Sequence, residues 1–198
     1  MVKWRRKKTK VETPPENSQA FKEPTKRLFV SRGILRPTHE FFLPYWAAGV
    51  ETACFWFGVS VGRDQVATTL ALPKLYQTAG GYRVDSKSMR RLSSLMREQG
   101  LENLAQVHTH PSNWVGHSSF DDEHAYSTRK GSLSLVWPNY GQSFNHDLTG
   151  VGVHEYRRDD WVELRDSEIR ERIHIIDSVA DCRWQIQGGM PNSVERDR

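Results

Sequence analysis

The chain has 198 residues, 37% of them apolar, with 28 Lys and Arg against 24 Asp and Glu for a net charge of +4, enough for one domain of ordinary size with a full core. It holds no run of about eighteen or more apolar residues and no basic stretch leading into an apolar segment, so neither a membrane span nor a secretory leader is expected. Its two cysteines, Cys54 and Cys182, exclude a disulfide framework, and a cytoplasmic protein without a membrane partner is predicted.

The charge is uneven along the chain. Residues 1–27 hold nine Lys or Arg against three Glu, a net of +6, which leaves −2 for residues 28–198. The first segment reads as a disordered basic arm containing Trp4, with Thr13-Pro14-Pro15-Glu16-Asn17-Ser18 as a flexible linker. Because the body is not basic, nucleic acid is not an expected partner. A single globular domain is predicted over 28–164, followed by a C-terminal helix and tail over 165–198.

Ordered structure is expected from the apolar alternation Leu28 to Leu35, suited to an edge strand. Pro37 to Val50 follows as a helix whose apolar face is Phe41, Phe42, Tyr45 and Trp46, with Pro44 kinking or ending part of it. Thr52 to Val61 and Val66 to Leu72 read as a hairpin across Gly62-Arg63-Asp64, with Cys54 a small buried hydrophobe. Asp85 to Gln99 is the clearest helix: Asp85 or Ser86 caps it, Met89, Leu92, Leu95 and Met96 recur at helical spacing, and Gly100 stops it. A strand over Leu104 to His108, a helix over Ser119 to Arg129 and a buried strand over Leu133 to Trp137 come next. A hairpin from Gly150 to Leu164 turns at Arg157 to Asp160, and Ile169, Ile173 and Ile176 place one amphipathic helix after it. Asp181 to Arg198, with its Gly188-Gly189 pair, reads as a loose tail. The order describes an α/β domain around a mixed sheet flanked by helices.

The chemistry concentrates between Val107 and Asp121. His108 and His110 are two apart, so on an extended strand both rings leave one face. Pro111 ends that strand, Pro111 to His117 form a loop, and Asp121 lies on the first turn of the next helix, where its carboxylate can return towards the imidazoles. Two nitrogens and one oxygen leave a fourth position open, the arrangement of a catalytic zinc site.

His-x-His-Pro, then a serine with seven residues between it and the second histidine, then x-x-Asp, resembles the JAMM motif of the MPN+ (JAB) zinc metallopeptidases. These proteins also use an upstream glutamate in a run such as Glu-x-x-x-apolar-x-x-Gly, which Glu51 to Gly58 fits. Over roughly Leu28 to Leu164 the resemblance implies a deubiquitinase-like MPN/JAB (cytidine-deaminase-like) domain. It implies Zn²⁺ on His108, His110 and Asp121, Glu51 as general base and Ser118 as donor to the transition state, with Glu40 the next carboxylate to consider as base. Ser-x-x-Asp is also close to a capping box, so Ser118 has a structural role available that is compatible with the chemical one. Asp122 and Glu123 read as first-turn carboxylates. His117 and His124 receive no role, and Trp114 is either a packing anchor or a substrate contact.

The function implied is an isopeptidase that removes a ubiquitin-like modifier, most like bacterial JAB proteins encoded beside ubiquitin-like conjugation enzymes, including antiphage defence systems. The modifier, its conjugates and E1/E2-like enzymes would be its partners. Other readings are C-terminal processing of a sulfur-carrier protein, a RadC-like DNA-associated protein, and a non-catalytic MPN scaffold.

Overall fold

The computed structural model describes residues 26–143 and 147–177. The basic arm up to residue 25, Trp4, the linker, Cys182 and the Gly188-Gly189 pair lie outside them. In chain order the elements are β1 (Arg27–Ser31), α1 (Arg32–Ala48), β2 (Ala53–Val61), β3 (Asp64–Ala71), β4 (Leu75–Thr78), β5 (Gly81–Val84), α2 (Ser86–Glu98) and β6 (Glu102–Thr109). There follow α3 (Ser119–Glu123), β7 (Leu133–Trp137), a 3₁₀ turn at Asn139–Gly141, β8 (Gly152–Arg157), β9 (Asp160–Glu163), α4 (Asp166–Arg172) and β10 (Ile173–Ile176).

Eight strands form one mixed sheet in the order β10-β1-β3-β2-β6-β7-β8-β9, and β4 and β5 make a separate hairpin. Side chains alternate across each strand, so β2 feeds two cores. Cys54 and Trp56 join Leu35 and Phe42 of α1 on one face; Phe55 and Phe57 join Met89 of α2 on the other. Trp56 donates its indole N–H to Thr38 Oγ at 3.0 Å, which ties the buried ring to α1. Gly58 is required at a close crossing, since a Cβ there would stand 1.9 Å from the Val66 carbonyl oxygen.

Several expectations are corrected. β1 is an interior strand, parallel to β3 on one side and to β10 on the other. The cause is the second correction: the helix after Leu164 stops at Arg172, and the run Ile173–Ile176, with three β-branched isoleucines, becomes the strand that covers β1. Arg27 opens β1 with two bonds to Asp64, at 2.8 and 2.7 Å. α1 starts at Arg32 and runs through both Pro37 and Pro44, held by the burial of Ile34, Leu35 and Phe42. α3 ends at Glu123 because the Tyr126 N–H turns away to Gln106 Oε1 at 2.9 Å. The hairpin β4–β5 was not predicted; its strands are only four residues each, Leu-Tyr-Gln-Thr and Gly-Tyr-Arg-Val. No helix among the described residues is long and apolar enough to cross a membrane.

Candidate metal centre

The centre forms at one end of the sheet because of how β2 and β6 pair. They run antiparallel with Ala53 opposite His108, and the Thr109 N–H bond to the Thr52 carbonyl at 3.0 Å carries the pairing one step further. Continued once more, this register sets Glu51 opposite His110. Val107 points into the α1 core, so His108 and His110 take the other face, together with Glu51. Glu51 sits next to the imidazoles although the chain separates it from Asp121 by a whole helix and two hairpins.

His108, His110 and Asp121 are all buried, and one ligand atom from each lies within 4.8 Å of the other two. His108 Nε2 stands 3.3 Å from Asp121 Oδ1, and His110 Nε2 stands 3.3 Å from Oδ2. Neither nitrogen of His108 has a hydrogen-bond partner. A buried polar atom left in that state costs about 1–3 kcal/mol, and a cation between these donors would relieve it. The donor set therefore fits a metal ion. His110 is aimed by its other nitrogen: Nδ1 donates to the Trp114 carbonyl at 3.2 Å, so in the neutral ring the lone pair lies on Nε2, on the side of the centre.

Ser118 closes the end of α3. Its Oγ accepts from the Asp121 N–H at 3.2 Å and donates to Asp121 Oδ2 at 2.6 Å, while its own N–H reaches Oδ2 at 2.8 Å. The predicted capping box is present. Gly152 lets the preceding loop lie against β8, since a Cβ there would meet the Val115 carbonyl oxygen at 2.1 Å.

Burial sets the protonation pattern. It pushes the Glu51 carboxyl up to about 7, partly opposed by His110 and reinforced by Asp121. Burial also works against the Asp121 charge, but the two imidazoles and Ser118 outweigh it and hold the carboxyl below the usual carboxylate range. His108 is pushed down by its burial; at His110 the same penalty is overcome by Asp121 and Glu51, and its pKa rises.

His117 lies beside the centre. Its buried ring stacks on His154 at 4.0 Å and tilts towards His108 at 5.8 Å, its Nδ1 is 2.9 Å from Asp122 Oδ1, and burial lowers its pKa to about 2. Trp114 stacks on His110 at 5.1 Å yet is 52% exposed, so it packs and presents a free surface. His124 is exposed, stacked on Phe120 and outside the ligand group. Glu40 is exposed on α1, paired with Arg36, on the opposite side of the sheet. Two neighbours had no signal in the sequence. Tyr82, on the unpredicted hairpin, packs its ring 5.5 Å from His108, and His154 points inward from β8 to bond the Val115 carbonyl at 2.9 Å.

No protein-family model matches the chain. A probable metalloprotease of Sinorhizobium fredii, y4jG, is 31% identical over 134 residues, which cover 64% of this chain and 80% of that protein. The chain belongs to this metalloprotease family. The family and the three converging donors agree on a metal-dependent protease. The solution structure of protein DSY2949 from Desulfitobacterium hafniense superposes with a TM-score of 0.58 at 16% identity, over 77% of this chain and 94% of that one, and shares the mixed α/β fold.

Proposed function

We propose that the protein is a zinc-dependent peptidase of the JAMM type, which removes a ubiquitin-like modifier from a target or processes the modifier's C-terminus. The observation that carries this reading is the strand register that brings Glu51 to the face where His108, His110 and Asp121 converge. Two imidazole nitrogens and one carboxylate oxygen are a donor set of hydrolytic zinc and leave a coordination position free. Zinc held there would supply Lewis acidity and lower the pKa of water towards about 7.

The residues of the chain divide the remaining work. Glu51, with a carboxyl near 7, accepts a proton from the attacking water and returns it to the leaving amine. Ser118 turns its hydroxyl hydrogen from Asp121 to the oxygen that gains charge as the carbonyl becomes tetrahedral. Trp114 and the loop around it fix His110 and wall the approach. No covalent intermediate with the protein is needed.

The modifier is the part of the reading drawn from the motif, and conjugating enzymes of E1 and E2 type would be its other partners. Purified protein supplied with zinc is expected to cut fusions of a modifier to a reporter at the modifier's C-terminus. Cleavage should stop with a chelator and return with zinc. Elemental analysis should find one zinc per chain, lost in His108→Ala and Asp121→Ala; full zinc occupancy in either variant would remove the ligand assignment. Cleavage of unrelated peptides alongside failure with every fusion would leave a metallopeptidase without the modifier.

A further inference from the structure

Next to the metal centre the surface opens into a furrow of about 870 Å³ between α2, the hairpin β4–β5 and the segment after α3. Four exposed cations line it, Arg83, Lys87, Arg90 and Arg97, and none has a carboxylate partner among the described residues. Its one acid, Asp85, is committed to the Ser88 N–H at 2.7 Å as the cap of α2. A second cavity of about 290 Å³ shares Ser93, Arg97 and Tyr126 with the first and continues its lining with Lys26 and Arg129 against one acid, Glu102. The furrow begins at His124, three residues beyond Asp121, and its other wall is the hairpin whose Thr78 carbonyl takes the Glu51 N–H at 2.9 Å. A chain lying in it would therefore lead to the metal centre.

The aromatic rings of the furrow are already engaged. Lys74 and Arg83 sit over the ring of Tyr76 at 5.2 and 5.0 Å, Tyr126 packs edge-on against Phe55 and bonds Ser93, and His124 stacks on Phe120. The surface thus offers charged hydrogen-bond donors rather than ring faces for bases to stack on, which favours carboxylates over single-stranded nucleic acid. The chain's own ends do not supply them: residues 1–25 hold seven Lys or Arg against three Glu, and residues 178–198 hold three of each sign.

We infer that the furrow docks an acidic segment of the protein substrate, flanking the bond that is cut. The substrate assignment rests on the peptidase reading above; the docking itself is measurable without it. A fluorescent oligoglutamate peptide should bind the metal-free protein in an anisotropy titration, with affinity falling as salt rises, and oligoglutamine of equal length should not bind. Arg90→Glu should weaken oligoglutamate binding about tenfold or more and Lys87→Gln by less. Arg91→Glu changes the net charge equally from a neighbouring position outside the furrow, and should leave binding nearly intact. His108→Ala should also bind normally. Absence of oligoglutamate binding, or equal losses in Arg90→Glu and Arg91→Glu, would overturn the docking site. Tighter binding of oligothymidine that depends on Arg90 would overturn the acidic occupant in favour of nucleic acid. Docking through Arg90 in a protein that hydrolyses no peptide bond with zinc would refute the peptidase reading alone, whereas hydrolysis with unchanged binding in Arg90→Glu would refute docking alone.

Discussion

Replacing Glu51 by Gln separates the burial of this carboxyl from its chemistry. Glu51 is 5% exposed, and its pKa rises from an ordinary 4.5 to about 7, chiefly through burial. The sign follows from linkage. Below 4.5 the group is protonated in both folded and unfolded chains and contributes nothing; between 4.5 and 7 only the unfolded chain ionises freely, so stability falls as pH rises. Above 7 the penalty is complete, about 3 kcal/mol in the metal-free protein. Gln has the same shape and no charge. Urea unfolding in the presence of a chelator should find Glu51→Gln more stable than the parent by up to about 3 kcal/mol at pH 8 and equal to it at pH 4. With zinc supplied, the same variant should keep the metal and lose activity by roughly 10²–10⁴. Equal stabilities at pH 8 would show that the carboxyl is not held in a buried, ionisation-resisting place. Near-normal turnover would remove it as the base.

Ser118→Ala should unfold about 1 kcal/mol more easily through loss of the cap, yet turn over about 10²–10³ more slowly at saturating zinc; a variant that only melts earlier, at normal turnover, would confine Ser118 to capping. Because its hydroxyl also holds Asp121 at 2.6 Å, zinc affinity measured by chelator competition should fall about tenfold. Arg172 is fully buried and donates to Glu155 at 2.8 Å, so Glu155→Ala should destabilise the fold by about 3–5 kcal/mol in urea titration. An effect below about 1 kcal/mol would mean that Arg172 finds another partner. Gly58→Ala, which drives a methyl group into the Val66 carbonyl, should reduce soluble yield or lower the melting temperature strongly, and wild-type melting would show that β3 moves aside freely.

Local periodicity carries much of the site. Two histidines two apart on an apolar strand must share a face, and a serine three before an aspartate suits the start of a helix, so spacing alone groups His108, His110, Ser118 and Asp121. Glu51 cannot be placed by the same reasoning. Its position depends on which residue of β2 faces which residue of β6, and a single sequence does not encode that register in any local pattern; only the resemblance singles it out. The errors in the fold have one main source. Ile173–Ile176 has spacing that serves a helix or a strand, and the choice is made by β1, whose uncovered edge lies 145 residues earlier in the chain, Leu28 facing Ile173. Tyr82 escapes sequence reasoning for a related reason, since the strands of β4–β5 are too short to show a pattern and Tyr82 meets His108 only in the folded chain.

Charge is the property that linear counting serves least well. Outside the arm the chain sums to −2, and from that figure a basic surface is not expected. The fold sorts the same residues by place: Glu155 and Glu168 pair with Arg172 and Arg157 behind β8, and Asp121 and Glu51 turn into the centre. These acids are thus committed elsewhere, while Arg83, Lys87, Arg90 and Arg97 remain outward along one furrow whose single acid, Asp85, caps α2. A near-neutral body can therefore attract an acidic chain strongly on one side, and that side adjoins the residues proposed to cut it. Salt should expose this directly, since screening weakens exposed charges far more than buried ones. Added salt should raise KM for an acidic substrate while leaving kcat nearly constant, whereas a parallel fall in kcat would mean that salt acts on the centre itself.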